Sequence, residues 1–525
     1  MVLQADSVRL VQERVAHLVD PISVSIRTRQ PEREGLDERF APTDPAPGLD
    51  VARNPLVARL LRNRKLQFFL ILPNQIIFWL VIGIGLLGTV VPGLNFATAI
   101  TWYVWFCLVF VMMVVVGRAW CAMCPFGGFG EWVQRHTFWK HTTSTIGLGL
   151  KIPERVGQYG FLLSVGAFLL LTWLEEFFNI AGPGNPASTS FMVLGIVGSA
   201  LAFFLLFERR SFCRYVCPLT ALIGTVGSMG SVAGFRTRDR DVCLSCQTKE
   251  CMRGGENSYG CSWYTWPGSS DSNLTCGLCT ECYKACPSDN VGLFIQKPLT
   301  SVIAPTRRRA DVAWSVALLW GLVVYQQFNA LPAFTKIDGW LNAHTNFPQY
   351  PNPVDFVGMI AAVTVVMATI AWLFMKVFAS PTLVVPVTGT SFVDRSSRFR
   401  MYFIPLMYGI IPVVGADYFA RQLPKFFQHA PRVLPAVGHL FGAGSTHSSL
   451  YNTSLIGSNS GIVAVQVGVV ALGTFAAMWT SWKVAGRDLV AVSAHRRSVQ
   501  FSAAGLALIA GVAAAGLYVL MNAAD

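Results

Sequence analysis

Four cysteines in the run CGLCTECYKACP, residues 276 to 287, stand two, two and three residues apart, and a proline closes the run. Cys276, Cys279 and Cys282 are near enough in sequence to wrap three corners of one iron–sulfur cube, and Cys286 follows after a turn as a further thiolate. Upstream, Cys243, Cys246 and Cys251 repeat the theme with four residues in the second gap, and Cys261 follows after nine more. Where two such runs share two cubes, the last cysteine of each run ligates the other cube. The order therefore predicts one cluster on Cys243, Cys246, Cys251 and Cys286, and a second on Cys276, Cys279, Cys282 and Cys261. Zinc is the alternative, because paired C-x-x-C units also bind it. A tight triplet with a distant Cys-Pro favours clusters.

Two further pairs carry thiols. GRAWCAMCPFGGFGEW holds Cys121 and Cys124, and RRSFCRYVCPLTALIG holds Cys213 and Cys217. Each has an arginine upstream, an aromatic residue just before the first cysteine and a proline after the second, as an internal repeat would. Such a repeat brings four thiols to one membrane face, where they could bind another metal centre, act as a dithiol relay or be structural. Cys107 stands alone among WYVWFCLVFVMM and reads as an inert buried thiol.

The elements that position these thiols are apolar helices. With 53% hydrophobic and only 13% charged residues and a mean hydropathy of +0.47, the chain is too apolar for an ordinary soluble enzyme. Apolar runs of bilayer length recur at residues 66–88, 96–116, 156–174, 190–207, 312–330, 356–375, 401–416, 461–482 and 498–521. They are continuous, which excludes a β-barrel. The expected fold is an all-α polytopic membrane protein of about nine transmembrane helices with an inserted two-cluster module. Four parts are expected: a polar leader at 1–60, a four-helix membrane domain at 61–234, the cluster module at 235–310 and a five-helix membrane domain at 311–525.

Positive charge orients the chain, since lysine and arginine stay on the cytoplasmic side. With the N-terminus inside, the outward connections hold only Lys336, Arg421, Lys425 and Arg432 of the 41 basic residues. This puts the leader and the cluster module in the cytoplasm and the C-terminus outside. Twelve of the 13 cysteines then face a reducing compartment, which argues against disulfides. The same asymmetry accounts for the net charge of +13 as topology plus attraction to anionic lipid, and no nucleic-acid motif accompanies it. Within the leader, Ser7 to Val19 has helical apolar spacing, but it lacks the basic start and apolar middle of a cleavable signal.

The two hairpins ending in Cys-Pro signatures, followed by a ferredoxin-type loop, resemble the bacterial membrane polyferredoxin family over roughly residues 60 to 310. That family includes the membrane quinol dehydrogenase subunit of periplasmic nitrate reductase and the regulator of nitrous oxide reductase. The resemblance implies a membrane iron–sulfur electron carrier linked to the quinone pool, with the eight loop cysteines as cluster ligands. It also marks Cys121, Cys124, Cys213 and Cys217 as the family's membrane-face cysteines. Two departures stand out: Cys121 and Cys124 have two residues between them where the family signature has three, and the five spans after Arg309 exceed its compact form.

Oxidising a quinol releases protons, so an acid or histidine near an apolar pocket is the feature to seek. Glu175, Glu176, Asp417, Tyr418 and His429 are the candidates, all near outer ends of spans. None of the eight histidines falls inside the nine runs, so haem is not expected, and no nucleotide or flavin motif occurs. Arg236, Arg238, Arg240, Lys249, Arg253 and Lys284 could raise cluster potentials or could simply follow the positive-inside bias. Trp263, Tyr264 and Trp266 could shield a cluster or dock a partner. The expected role is a bacterial inner-membrane electron-transfer component, not a stand-alone enzyme, which relays single electrons between the quinone pool and a protein redox partner. The alternative is a cluster-dependent assembly or metal-reducing factor for another respiratory complex.

Overall fold

The computed structural model describes residues 47–525 except 143–144, 183, 257, 306–307, 348–350, 380–390, 491–492, 494 and 525. The expected helix at Ser7 to Val19 lies outside the described residues.

Seven helices among the described residues are long and apolar enough to cross a membrane: Leu66–Leu87, Phe96–Arg135, Gly160–Phe177, Pro186–Leu206, Pro353–Phe378, Asn459–Leu489 and Arg497–Ala523. The chain is thus a mostly helical, multi-pass membrane protein. A further pair, Arg398–Gly409 followed by Ile411–Leu440 with a 43° bend, is long and apolar enough only when taken together, as a broken span or a re-entrant loop. The break falls just before Pro412, which has no N–H to donate and whose ring displaces the carbonyl four residues back. His429 and His439, expected outside the spans, lie on the second arm. The run expected at 312–330 forms the helix Ala310–Phe328 but is not among the seven. Asp311 opens it and Gln326 and Gln327 lie near its end, and its apolar face is enclosed on nearly every side by neighbouring helices.

The second span runs further than expected. Its main axis stops at Gly117, where φ is +65° and a Cβ would meet the Gly227 carbonyl at 3.0 Å. Only glycine suits both the backbone angle and the close approach. The chain then turns through Trp120–Met123 into Pro125–Arg135, so the first cysteine pair lies in a kinked extension of the helix.

The eight loop cysteines belong to a small module built on a three-stranded antiparallel sheet, in the order β1 (Leu49–Asp50), β3 (Val291–Ile295), β2 (Val232–Thr237). Residues just before the first span therefore join the module. Arg238 donates to Asp50 at 2.7 Å, and the helix Pro55–Arg62 lays Leu61 into a core with Phe235, Tyr283, Cys243, Cys251 and Cys282. A second and much larger core is continuous from Cys261 and Cys279, through Cys121 and Cys213, to the C-terminal helices. One half of the module is thus packed as part of the membrane domain, and the other half is a separate, smaller cluster.

Candidate iron–sulfur centres

Short-range structure sets the loop thiols. Cys243 lies on Arg240–Ser245, whose N-cap Asp239 accepts from the Asp241 N–H at 2.8 Å, and Cys246 ends that helix. Cys251 and Cys282 each sit one residue into a short helix, Glu250–Arg253 and Glu281–Ala285, and each helix is entered through a left-handed residue, Lys249 or Thr280. This shared geometry gives the two runs the same local shape despite their different gaps.

The structure gathers the eight loop cysteines. Cys251 lies within electrostatic range of Cys286, Cys243 and Cys246, and also of Cys261, and Cys286 lies within range of Cys243 and Cys246. Cys261 is beside Cys279 and Cys276, and Cys282 is beside all three and also within range of Cys251. The last cysteine of each run thus has neighbours in the other run, and the two groups adjoin through Cys251, Cys261 and Cys282.

Their surroundings fit a cube. Burial pushes the Cys251 and Cys261 thiols up to about 12, and the neighbouring thiols add to the shift. Closely spaced buried thiolates need positive charge between them, which the irons of a cluster supply. Donors already aim at sulfur: the Thr265 N–H at Cys261, the Asn290 N–H at Cys286 and the Asn290 side-chain amide at Cys243, each at 3.3 Å. Such N–H···S bonds favour thiolate and raise cluster potential. Asn290 serves both Cys243 and Cys286, and nothing in the cysteine spacing pointed to it.

Trp263 and Trp266 are 3% and 4% exposed, so they shield the module and do not offer a docking face. The nearby cations are mostly engaged elsewhere. Arg236 bonds the Ala233 carbonyl and Ser301, Arg238 pairs with Asp50 and Asp289, and Lys284 pairs with Glu281.

The membrane-face cysteines also converge. Cys213 lies within range of Cys217, Cys124 and Cys121, and Cys124 within range of Cys217 and Cys121. The arginine ahead of each pair ties it to the module. Arg118 bonds the Leu274 carbonyl and lies 4.6 Å over the Trp263 ring. Arg209 donates to the carbonyls of Cys261 and Met252 at 2.7 and 2.6 Å. Arg210 donates to the Cys121 carbonyl at 3.0 Å and pairs with Glu131 at 2.6 Å, with the two side chains only 1% and 4% exposed. Arg135 takes the other Glu131 oxygen at 3.0 Å. The sequence reading passed over Glu131, although an acid in so apolar a stretch is itself a signal.

Residues 98–141 and 189–234 match the family model of a 4Fe-4S binding domain. The two matched stretches carry Cys121 with Cys124 and Cys213 with Cys217. The match supports a ferredoxin-type iron–sulfur protein whose chemistry is electron transfer. No match was found among curated proteins or solved structures.

Four of the residues considered for proton uptake, Glu175, Glu176, Asp417 and Tyr418, share Arg421 as a charged neighbour. Glu176 accepts from Asn329 at 3.3 Å, and with Glu175 it faces Arg421 and Lys425. Asp417 is fully buried and accepts from Gln327 at 2.6 Å and Tyr518 at 2.8 Å. The Tyr418 hydroxyl donates to the Leu319 carbonyl, and His429 packs against Tyr103.

Proposed function

We propose that the protein relays single electrons between the membrane quinone pool and a protein redox partner, through two [4Fe–4S] clusters held by the eight loop cysteines. One observation carries this reading. Cys243 and Cys251 of one set belong to the module's own small core, whereas the other set bridges the two cores, with Cys282 in the small one and Cys261 and Cys279 in the core shared with the membrane helices. Two centres so arranged form a path from the outer end of the module towards the bilayer. Each cluster, when bound, takes up and passes on one electron. The chain's residues do the rest: Asn290 and Thr265 direct N–H groups at sulfur, Trp263 and Trp266 exclude water, and Arg118 and Arg209 keep the module against the membrane.

In this reading the module is cytoplasmic, in a bacterial inner membrane. Counting the broken helix and Ala310–Phe328 gives nine crossings and an external C-terminus. Buried Asp417, bonded to Gln327 and Tyr518, is one acid that could take protons from a quinol.

The test is anaerobic purification in detergent, followed by low-temperature EPR before and after adding a reduced quinol analogue, with dithionite as control. Cluster signals that grow with quinol support the relay. Intact clusters reduced only by dithionite count against the quinol link and favour an assembly or metal-reducing role.

A further inference from the structure

We propose that a basic cleft, where the cluster module meets the start of the first span, holds the headgroup phosphate of one anionic phospholipid. The site stands on its own geometry and does not depend on the electron-transfer reading above.

Both halves of the molecule wall the cleft. Arg64, Glu131, Arg135 and Lys140 come from the membrane half, and Tyr259, Glu281 and Lys284 come from the module. Four cationic side chains thus line it against two carboxylates, and both carboxylates are already engaged. Glu131 pairs with Arg135 at 3.0 Å and with buried Arg210 at 2.6 Å. Glu281 pairs with Lys284 at 3.3 Å and accepts from the Ser258 hydroxyl at 2.8 Å. The lining therefore carries an excess of positive charge, which an anion complements.

These cations are held in place before any ligand arrives. Arg135 lies 3.8 Å over the Tyr259 ring, and the His141 ring stands 4.7 Å from it. The Tyr259 hydroxyl accepts from the Thr142 N–H at 2.9 Å, which fastens the turn that carries Lys140 to the module. A cleft so braced loses little freedom when it binds.

Its depth and its other wall identify the anion. Arg64 stands two residues ahead of the span Leu66–Leu87, so the cleft opens at the level of lipid headgroups. Trp132, Phe138 and Trp139 line the same cleft. Phe68, in the first turn of the span, packs on all three with ring centroids 5.4, 5.5 and 5.0 Å away. Phe69, Phe138 and Trp139 are 61%, 56% and 39% exposed. Aromatic side chains of this kind sit at the membrane–water boundary. Cations beside an aromatic shelf match the two parts of a phospholipid, with phosphate against the cations and glycerol and upper acyl chain against the rings. A soluble anion would use only the cations. The phosphate would also join the module to the membrane half beside a cluster ligand, because Glu281 directly precedes Cys282 and both Glu131 and Glu281 lie within electrostatic range of Cys279.

The test uses the full chain, purified anaerobically in detergent and stripped of lipid, with phosphatidylglycerol or phosphatidylcholine added back and bound lipid counted by native mass spectrometry. One phosphatidylglycerol should be retained under conditions that remove phosphatidylcholine. Lys140→Ala and Arg64→Ala should each weaken its retention about fivefold, the effect of one cation near a lipid surface. Lys376→Ala, an exposed cation at the end of Pro353–Phe378, should leave retention unchanged. Unaltered iron content shows that the variants are folded. Equal retention of the two lipids, or retention that neither Lys140→Ala nor Arg64→Ala weakens, overturns the site. Displacement of the lipid by excess inorganic phosphate would show a soluble-anion site and overturns the lipid assignment.

Discussion

The eight cysteines of the loop and the four at the membrane face reach similar thiol groupings by opposite means. In the loop, three ligands of each set come from one stretch of nine residues or fewer, and short helices entered through Lys249 and Thr280 aim them. At the membrane face, no stretch supplies more than two. There the grouping depends on packing between hairpins, with Gly127 against Cys213 and the Arg210–Glu131 pair as the buried join. The difference teaches that a loop centre should survive disturbance of the membrane helices, whereas the membrane grouping should not.

The largest effect is expected from Cys286→Ala. It should remove the cluster signal of the set with Cys243, Cys246 and Cys251 and leave the Cys261 set intact, read by EPR and by a loss of about four irons. Loss of the Cys276, Cys279 and Cys282 signal instead would show that the runs do not exchange their last ligands.

Arg210→Leu sharpens the contrast from the other side. It leaves Glu131 buried with only Arg135 as a charged partner, and removing one member of a buried pair costs about 3–5 kcal/mol. Thermal unfolding in detergent should fall accordingly, and the membrane-face thiols should lose their metal before the loop does. Equal loss from both regions would break the comparison.

Gly127→Ala is gentler. Its Cβ would lie 3.2 Å from the Cys213 sulfur and 3.4 Å from Arg210, a crowding that costs about 1–3 kcal/mol. The membrane-face signal should shift while the loop signals stay fixed. Gly195→Ala, where a Cβ meets nothing within 4 Å, should change neither. The smallest effect belongs to Arg62→Ala. The Arg62–Asp289 pair at 2.8 Å is more than half exposed on both sides, and such surface pairs contribute about 0–1 kcal/mol. Cluster content measured as iron per protein should not move.

Much of the architecture was legible because apolar length and thiol spacing are local properties. The runs at 66–88, 190–207 and 461–482 reappear as long helices, and the two cysteine runs that the module gathers could be read from the chain alone. Other features were hidden for identifiable reasons. The leader's last residues read as polar and proline-rich, yet Leu49 and Asp50 pair with Ile295 and Phe294 across more than 240 residues of sequence. No local pattern encodes a two-residue strand. The run at 312–330 reads as a span along the chain, yet the helix it forms, with Asp311 at its start and Gln326 and Gln327 at its end, is not among the seven, and the neighbours that enclose most of its apolar surface are set by packing.

The sequence by itself determined the chemistry available: eight thiols at cluster spacing, two repeated Cys-Pro signatures, and the apolar helices that hold them. These follow from residue type and from distances along the chain, which bond geometry limits to short reach. Only the tertiary structure decided that Cys121, Cys124, Cys213 and Cys217 face one another, that Arg118 and Arg209 bind the module to the membrane half, and that Glu131 sits between Arg135 and Arg210. Apart from the contacts within one signature, those meetings join residues some fifty to one hundred and sixty positions apart, where close packing of side chains sets the neighbours and spacing along the chain does not.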